Sequence, residues 1–221
     1  MWVLGFDPSL TNYGWALHDT EAEGADRCLR RGRFQTPAKW TFVDRYMYMR
    51  ESVRRLVREL QPDRIGLEFP IFDDLWSEGM YGLFLFTCEA LRIEKADVVF
   101  FTPGQTKAHA AHLLERPKGW KMSKMDMVEA AKADTGGKGR WNHNEADAYW
   151  AARTAGRFWT FYEDRLTKDD LTPKERHQFA RIHTYVRGAK AGKTVKTGIV
   201  YREQDRFFLW SVAEPPPQPE S

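Results

Sequence analysis

The sequence predicts an α/β fold built around one mixed sheet. Three observations carry that expectation. Apolar runs and amphipathic stretches alternate in the order three strands, helix, strand, helix, strand, then helices. Val98-Val-Phe-Phe101 is a continuous apolar run, expected of a strand covered on both faces. The 221 residues, 42% of them hydrophobic, suit one core domain of roughly 150 residues plus an appendage.

Trp2-Val-Leu-Gly-Phe6 is the first strand, stopped by the turn signal Asp7-Pro8-Ser9. Asn12 to His18 reads as the second, and Cys28 to Phe34 as a third, polar enough for an edge. Between Trp40 and Gln61, Phe42, Tyr46, Met49, Val53, Leu56, Val57 and Leu60 share one helical face. Arg50, Arg54 and Arg58 lie mostly outside that face, and Pro62 ends the helix. Arg64 to Phe69 is a further strand, closing on Glu68 before Pro70.

Ser77 is placed to N-cap a helix with Met80, Phe84, Thr87 and Leu91 on one side. After the strand at Val98–Phe101, Pro103 opens a helix to about Leu114. Ser123-x-x-Asp126 is a capping box for a helix ending near Asp134, and Asn144 to Phe158 is a long last helix. Residues 1–158 form the expected core. In residues 159–212 a capping box at Thr172-Pro173-Lys-Glu175 opens a short helix, followed by the basic, glycine-rich Arg187-Gly-Ala-Lys-Ala-Gly-Lys193. Thr197 to Arg202 and Arg206 to Ser211 then read as a hairpin, which makes this segment a helix-plus-hairpin appendage. The tail at 213–221, with Pro215-Pro-Pro217, is expected to be disordered.

A net charge of +3 does not by itself mark a nucleic-acid binder; clustering of the cations decides that. Cys28 and Cys88 lack metal-ligand spacing and are expected to be reduced. No stretch approaches the ~20 apolar residues of a membrane span, and no apolar leader is evident, so the expected location is cytoplasmic.

Three acids sit where an element ends or a helix opens: Asp7, Glu68 and Asp147. Adjacent strand ends bring Asp7 and Glu68 within reach of one ion, and a helix crossing that edge delivers Asp147. Carboxylates gathered this way repel each other unless cations neutralise them, as at a Mg²⁺ or Mn²⁺ site. His143 and Asn144 lie four and three residues before Asp147 and share its helical face. Each residue alone has a structural explanation: Asp7-Pro8 as a turn, Glu68 as an arginine's partner, Asn144 as an N-cap. Together, in this order, they point to chemistry.

The order resembles a known family. Gly5-Phe-Asp-Pro-Ser-Leu-Thr-Asn-Tyr-Gly14-Trp-Ala-Leu17 resembles the opening hairpin of RuvC-like Holliday-junction resolvases of the RNase H-like superfamily, particularly those of bacteriophages. Ile65-Gly-Leu-Glu68 and Glu145-Ala-Asp147-Ala148 resemble the segments that supply that family's other carboxylates. The resemblance covers Met1 to about Phe158 and implies an RNase H-like five-stranded mixed sheet flanked by helices. It implies an endonuclease that nicks four-way junctions symmetrically, with two cations roughly 3.5–4 Å apart and Asp7 between them. The family often has an acid or a histidine where this chain has Asn144, so His143, one place earlier, is favoured as the fourth ligand.

The resemblance also implies DNA contacts. Pro103-x-x-x-Lys107 and Lys121 fall where family lysines approach DNA, and Phe69 or Phe72 where an aromatic wedges the junction. Solvated lysines and ordinary loop packing are the structural alternatives. Symmetric cutting implies a homodimer through the helix after Glu68, which carries Tyr81, Leu83, Leu85 and Phe86 beyond its core stripe. A core helix covered on both sides would look the same. The basic run with Lys190 and Lys193 is a further candidate DNA contact. Sugar-kinase and actin-like ATPases share the Gly-x-Asp-x-x-x-Thr opening but need two such domains, and no Walker motif is present. A silent nucleic-acid-binding module of the same fold, or a nuclease for other branched DNA, is the alternative function.

Overall fold

The computed structural model describes residues 1–68, 78–117, 119–137, 139–179, 181–184, 194–197, 199–203 and 206–210. Strands β1 (Trp2–Asp7), β2 (Asn12–Asp19) and β3 (Cys28–Gln35) form an antiparallel meander. Strand β4 (Arg64–Glu68) lies parallel to β1, and β5 (Val98–Phe101) parallel to β4, giving the order β3-β2-β1-β4-β5. This is the mixed five-stranded sheet that the sequence predicts.

Helix α1 (Phe42–Leu60) joins β3 to β4, and α2 (Glu78–Ile93) joins β4 to β5. The side chain of Thr41 caps α1 and Gln61 closes it in the left-handed conformation. Met49, Val53, Leu56, Val57 and Leu60 are buried as the pattern predicts, against Leu4, Phe6, Tyr13, Ile65 and Leu67 of the sheet. Phe42 is a departure: it is 51% exposed, its ring stacked on Tyr46 instead of buried against the sheet. Arg50, Arg54 and Arg58 leave the core face and pair with Glu89 of α2 and with Glu94 in the turn just after it.

Helix α5 (His143–Tyr162) crosses the other face of the sheet, with α3 (Pro103–Leu113) and α4 (Lys124–Asp134) packed on it. Its seat is unusually close. A Cβ at Gly5 would lie 2.0 Å from Ala148 O, and one at Gly66 2.4 Å from Ala151 O. Small residues on both partners let backbone meet backbone, which fixes where the helix start falls. The helix runs a turn beyond Phe158, where the core was expected to end, because Phe158, Trp159 and Leu171 bury one another there.

Helix α6 (Pro173–Phe179) appears where its capping box predicts. The expected hairpin is β8 (Ile199–Glu203) and β9 (Arg206–Trp210), and it does not stand alone. Strand β9 lies parallel to β5, with Val98 opposite Phe208, so the sheet continues to seven strands. Strands β6 (Arg181–Thr184) and β7 (Thr194–Thr197) form a second, unforeseen antiparallel pair. Each is only four residues long, Arg181-Ile-His-Thr184 and Thr194-Val-Lys-Thr197, too short for a period-two pattern to stand out beside the glycine-rich basic run between them. Cys28 and Cys88 are free thiols. Among the described residues no helix is long and apolar enough to cross a membrane.

Candidate active site

Asp7 and Glu68 are the last residues of β1 and β4, parallel neighbours in register up to Phe6 opposite Leu67. Their carboxylates therefore leave the same edge of the sheet side by side. Asp147 comes down onto that edge from α5, one residue before the Ala148 carbonyl that rests on Gly5. Glycine on the strand and alanine on the helix are what let the third acid approach.

The electrostatics are those of crowded acids. Burial pushes the Asp7 carboxyl well above the usual range, and the charges of Glu68 and Asp147 push it further. Glu68 is raised to about 7 by burial and by Asp147, against the Thr106 hydroxyl and Lys107, which lower it. Asp147 is raised to about 6 by burial, with Lys107 and Lys124 opposing. Its Oδ1 is buried without a hydrogen-bond partner. A buried carboxylate oxygen left unpaired is costly, and each of these three groups holds its proton to higher pH than an isolated carboxylate does, a crowding that a bound cation would relieve.

That chemistry fits a hard divalent cation: the donors are all carboxylate oxygens drawn out of water, and one of them, Asp147 Oδ1, has no hydrogen-bond partner. Among the described residues, no three His, Cys, Asp or Glu side chains are already grouped as a cation's ligands. The three acids stand as an electrostatically coupled set, not as a closed cage.

Two residues that the sequence did not single out join them. Thr106, fully buried on α3, donates its hydroxyl to Glu68 Oε2 at 3.0 Å, in competition with the Pro103 carbonyl at 3.1 Å. It sits beside the predicted Lys107, so the Pro103-x-x-Thr-Lys segment delivers both an orienting hydroxyl and a charge. Lys124, first residue of α4, acts on Asp7, Asp147 and His143. Lys121, the lysine singled out from sequence, is exposed in the loop before it. The Ser123 capping box could have located Lys124, since it fixes which residue opens the helix.

His143 opens α5, and its ring is held below its ordinary pKa by burial and by Lys124 and Arg33. Asn144 is buried and its amide donates to the Asn12 carbonyl, while its own backbone oxygen fills the space over Gly14. The N-cap is Asn142, with Glu145 completing the capping box. Asn144 is thus a brace between α5 and β2. Glu145 points away from the acids, toward Arg31 and Arg33. Phe69, Phe72, Lys190 and Lys193 lie outside the described residues.

No family model matches the chain. Among solved structures, it is similar to Thermus thermophilus RuvC, with TM-score 0.58 and 18% identity, covering 74% of this chain and 97% of that one. It is also similar to T. thermophilus RuvC in complex with a Holliday junction substrate, with TM-score 0.55 and 21% identity, covering 69% and 90%. The chain has the RuvC-like form of the RNase H-like fold.

Proposed function

We propose that the protein is a metal-dependent endonuclease that nicks four-way DNA junctions. The observation that carries this reading is the coupling of Asp7, Glu68 and Asp147 at one edge of an RNase H-like sheet, with Lys107 and Lys124 facing them. Asp7, flanked by both other acids, would hold two divalent cations together with Glu68 and Asp147. Such a pair of Mg²⁺ or Mn²⁺ ions would supply an activated water and charge stabilisation for the leaving 3′ oxygen.

The protein's own groups do the rest. Thr106 turns the Glu68 carboxylate toward the shared edge, and Lys107 and Lys124 neutralise the phosphate drawn against three acids. The products are 5′-phosphate and 3′-hydroxyl ends. His143 is the fourth ligand or proton carrier, since Asn144 is committed to Asn12.

Cutting two strands symmetrically requires a two-fold dimer. Tyr81 and Leu85 of α2 and Phe42, Val43 and Met47 of α1 are each 46% exposed or more, an apolar surface suited to a second copy. The test of this function is cleavage of labelled four-way junction, flap and linear duplex in Mg²⁺ or Mn²⁺. Paired nicks in the junction support the reading. Preference for the flap redirects it to other branched DNA, and no cleavage of any substrate refutes it.

A further inference from the structure

The meander places a cation in line with the central acid. Asp7 is in register with Gly14 on β2, and Gly14 with Arg33 on β3. Residues in register on neighbouring strands share a face of the sheet, so Arg33 projects on the same side as Asp7, two strand spacings or about 9–10 Å away. Between them the row has no side chain. Gly14 instead receives the backbone of Asn144, so the start of α5 passes between acid and arginine.

Arg33 is loosely held. Its Nε lies 3.6 Å from Glu145 Oε1, and its Nη1 donates to Asn12 Oδ1 at 3.4 Å. Charge-assisted hydrogen bonds to carboxylates are ordinarily about 2.7–2.9 Å. Structural arginines elsewhere in the chain meet that standard: Arg157 is 2.8 Å from Glu175, Arg54 2.8 Å from Glu94 and Arg153 2.9 Å from Asp134. Glu145 is moreover shared with Arg31, whose Nε is 3.4 Å away and whose guanidinium lies 3.9 Å over the Trp141 ring. One carboxylate thus faces two guanidiniums, and only Arg31 has a second, close anchor. The Arg33 side chain remains 31% exposed.

We propose that Arg33 binds a DNA phosphate beside the one presented to Asp7, Glu68 and Asp147, with Glu145 holding its guanidinium on the rim until the strand arrives. This rests on the nuclease reading and extends its DNA surface onto β3, a strand with no assigned role. A planar fork suits a phosphate better than a point charge does, and a phosphate offers Arg33 the short, paired contacts that Glu145 does not. The position across the α5 start from Asp7 tracks a strand running over the sheet edge toward β3.

The test is junction affinity in metal-free buffer across a salt series, for wild type, Arg33→Gln and Arg30→Gln. Arg30 is on the same strand but pairs with Glu59, so it controls for net charge. Arg33→Gln is expected to weaken binding about tenfold and to reduce the slope of log K against log salt by about 0.7–0.9, one phosphate contact. Arg33→Lys should keep the slope and lose part of the affinity. Wild-type affinity and slope in Arg33→Gln overturn the inference and leave the nuclease reading standing, as does an equal loss in Arg30→Gln. Should Arg33→Gln fail to fold, Arg33→Lys is compared with wild type at one salt concentration, and an unchanged affinity in it overturns the inference, because a point charge does not replace the paired contacts of the guanidinium. If wild type binds no DNA, both readings fall together.

Discussion

Thr106 has one proton to give, and the Glu68 carboxylate and the Pro103 carbonyl are both within its reach. Valine at this position keeps the volume and removes the donor. Orienting partners of metal ligands are worth on the order of 10–100-fold in metal affinity or activity. Thr106→Val should therefore weaken Mn²⁺ binding on that scale and shift the Glu68 titration upward, while Thr106→Ser restores both; a valine variant that binds Mn²⁺ like wild type removes the positioning role. At the helix start, His143→Ala should cost orders of magnitude in cleavage rate with little change in melting temperature. Asn144→Ala should chiefly lower stability, because the Asn144 amide ties α5 to β2. The reverse pattern would make Asn144 the ligand. The three acids were legible in the sequence because each sits at an element end, where strand and helix patterns stop. Thr106 and Lys124 were not, because a threonine inside a helix and a lysine at its first turn have ordinary structural explanations that only proximity overrides.

Elements with a capping box or a long apolar stripe were legible, whereas the four-residue strands β6 and β7 were not. Capping boxes at Thr172, Ser123 and the stripe from Met49 to Leu60 each mark an element that the structure contains. What the sequence left open was which strand pairs with which. The partner of β9 is β5, more than a hundred residues earlier, and no local pattern encodes a choice made between distant surfaces. The close seat of α5 was equally hidden: Gly5 and Gly66 read as plain strand glycines, yet each stands where a Cβ would strike helix backbone. Gly66→Ala should therefore destabilise the protein by about 1–3 kcal/mol, the usual cost of overpacking a filled site. Urea unfolding measures this, and a change below about 0.5 kcal/mol would mean that α5 can lift from the sheet freely. Because Asp147 rides on the same helix, the variant should also lose cleavage activity beyond what its folded fraction accounts for.

For the molecule as a whole, two sets of buried groups pull stability in opposite directions with pH. His18, inside the core with its Nδ1 2.9 Å from the Arg27 carbonyl, is lowered to about 4 by burial and by Arg153. Between pH 6.5 and 4 the unfolded chain binds a proton there that the folded chain refuses, so stability falls as pH drops through that window, by about 3 kcal/mol in all. Glu68 and Asp147 are raised to about 7 and about 6. Without a cation their contribution is present below pH 4 and is lost as pH rises through 6–7, and a bound cation removes that loss. The rise in melting temperature on adding Mn²⁺ should therefore be small at pH 5 and larger at pH 8; a shift independent of pH would mean that these carboxylates are not the ligands. The basic run beyond α6 belongs to this scale too: Lys190→Ala with Lys193→Ala should reduce the salt slope of junction binding by roughly 1.8 if both meet duplex-like phosphates, and an unchanged slope would confine DNA binding to the core. All of this turns on the central acid, and the most direct measurement is cleavage of a four-way junction in Mg²⁺ by wild type and by Asp7→Asn at matched DNA occupancy. The expected result is junction binding within a few-fold of wild type with cleavage abolished; an Asp7→Asn protein that cuts at a tenth of the wild-type rate, a loss of only about 1.4 kcal/mol, would contradict the assignment of Asp7 as a cation ligand.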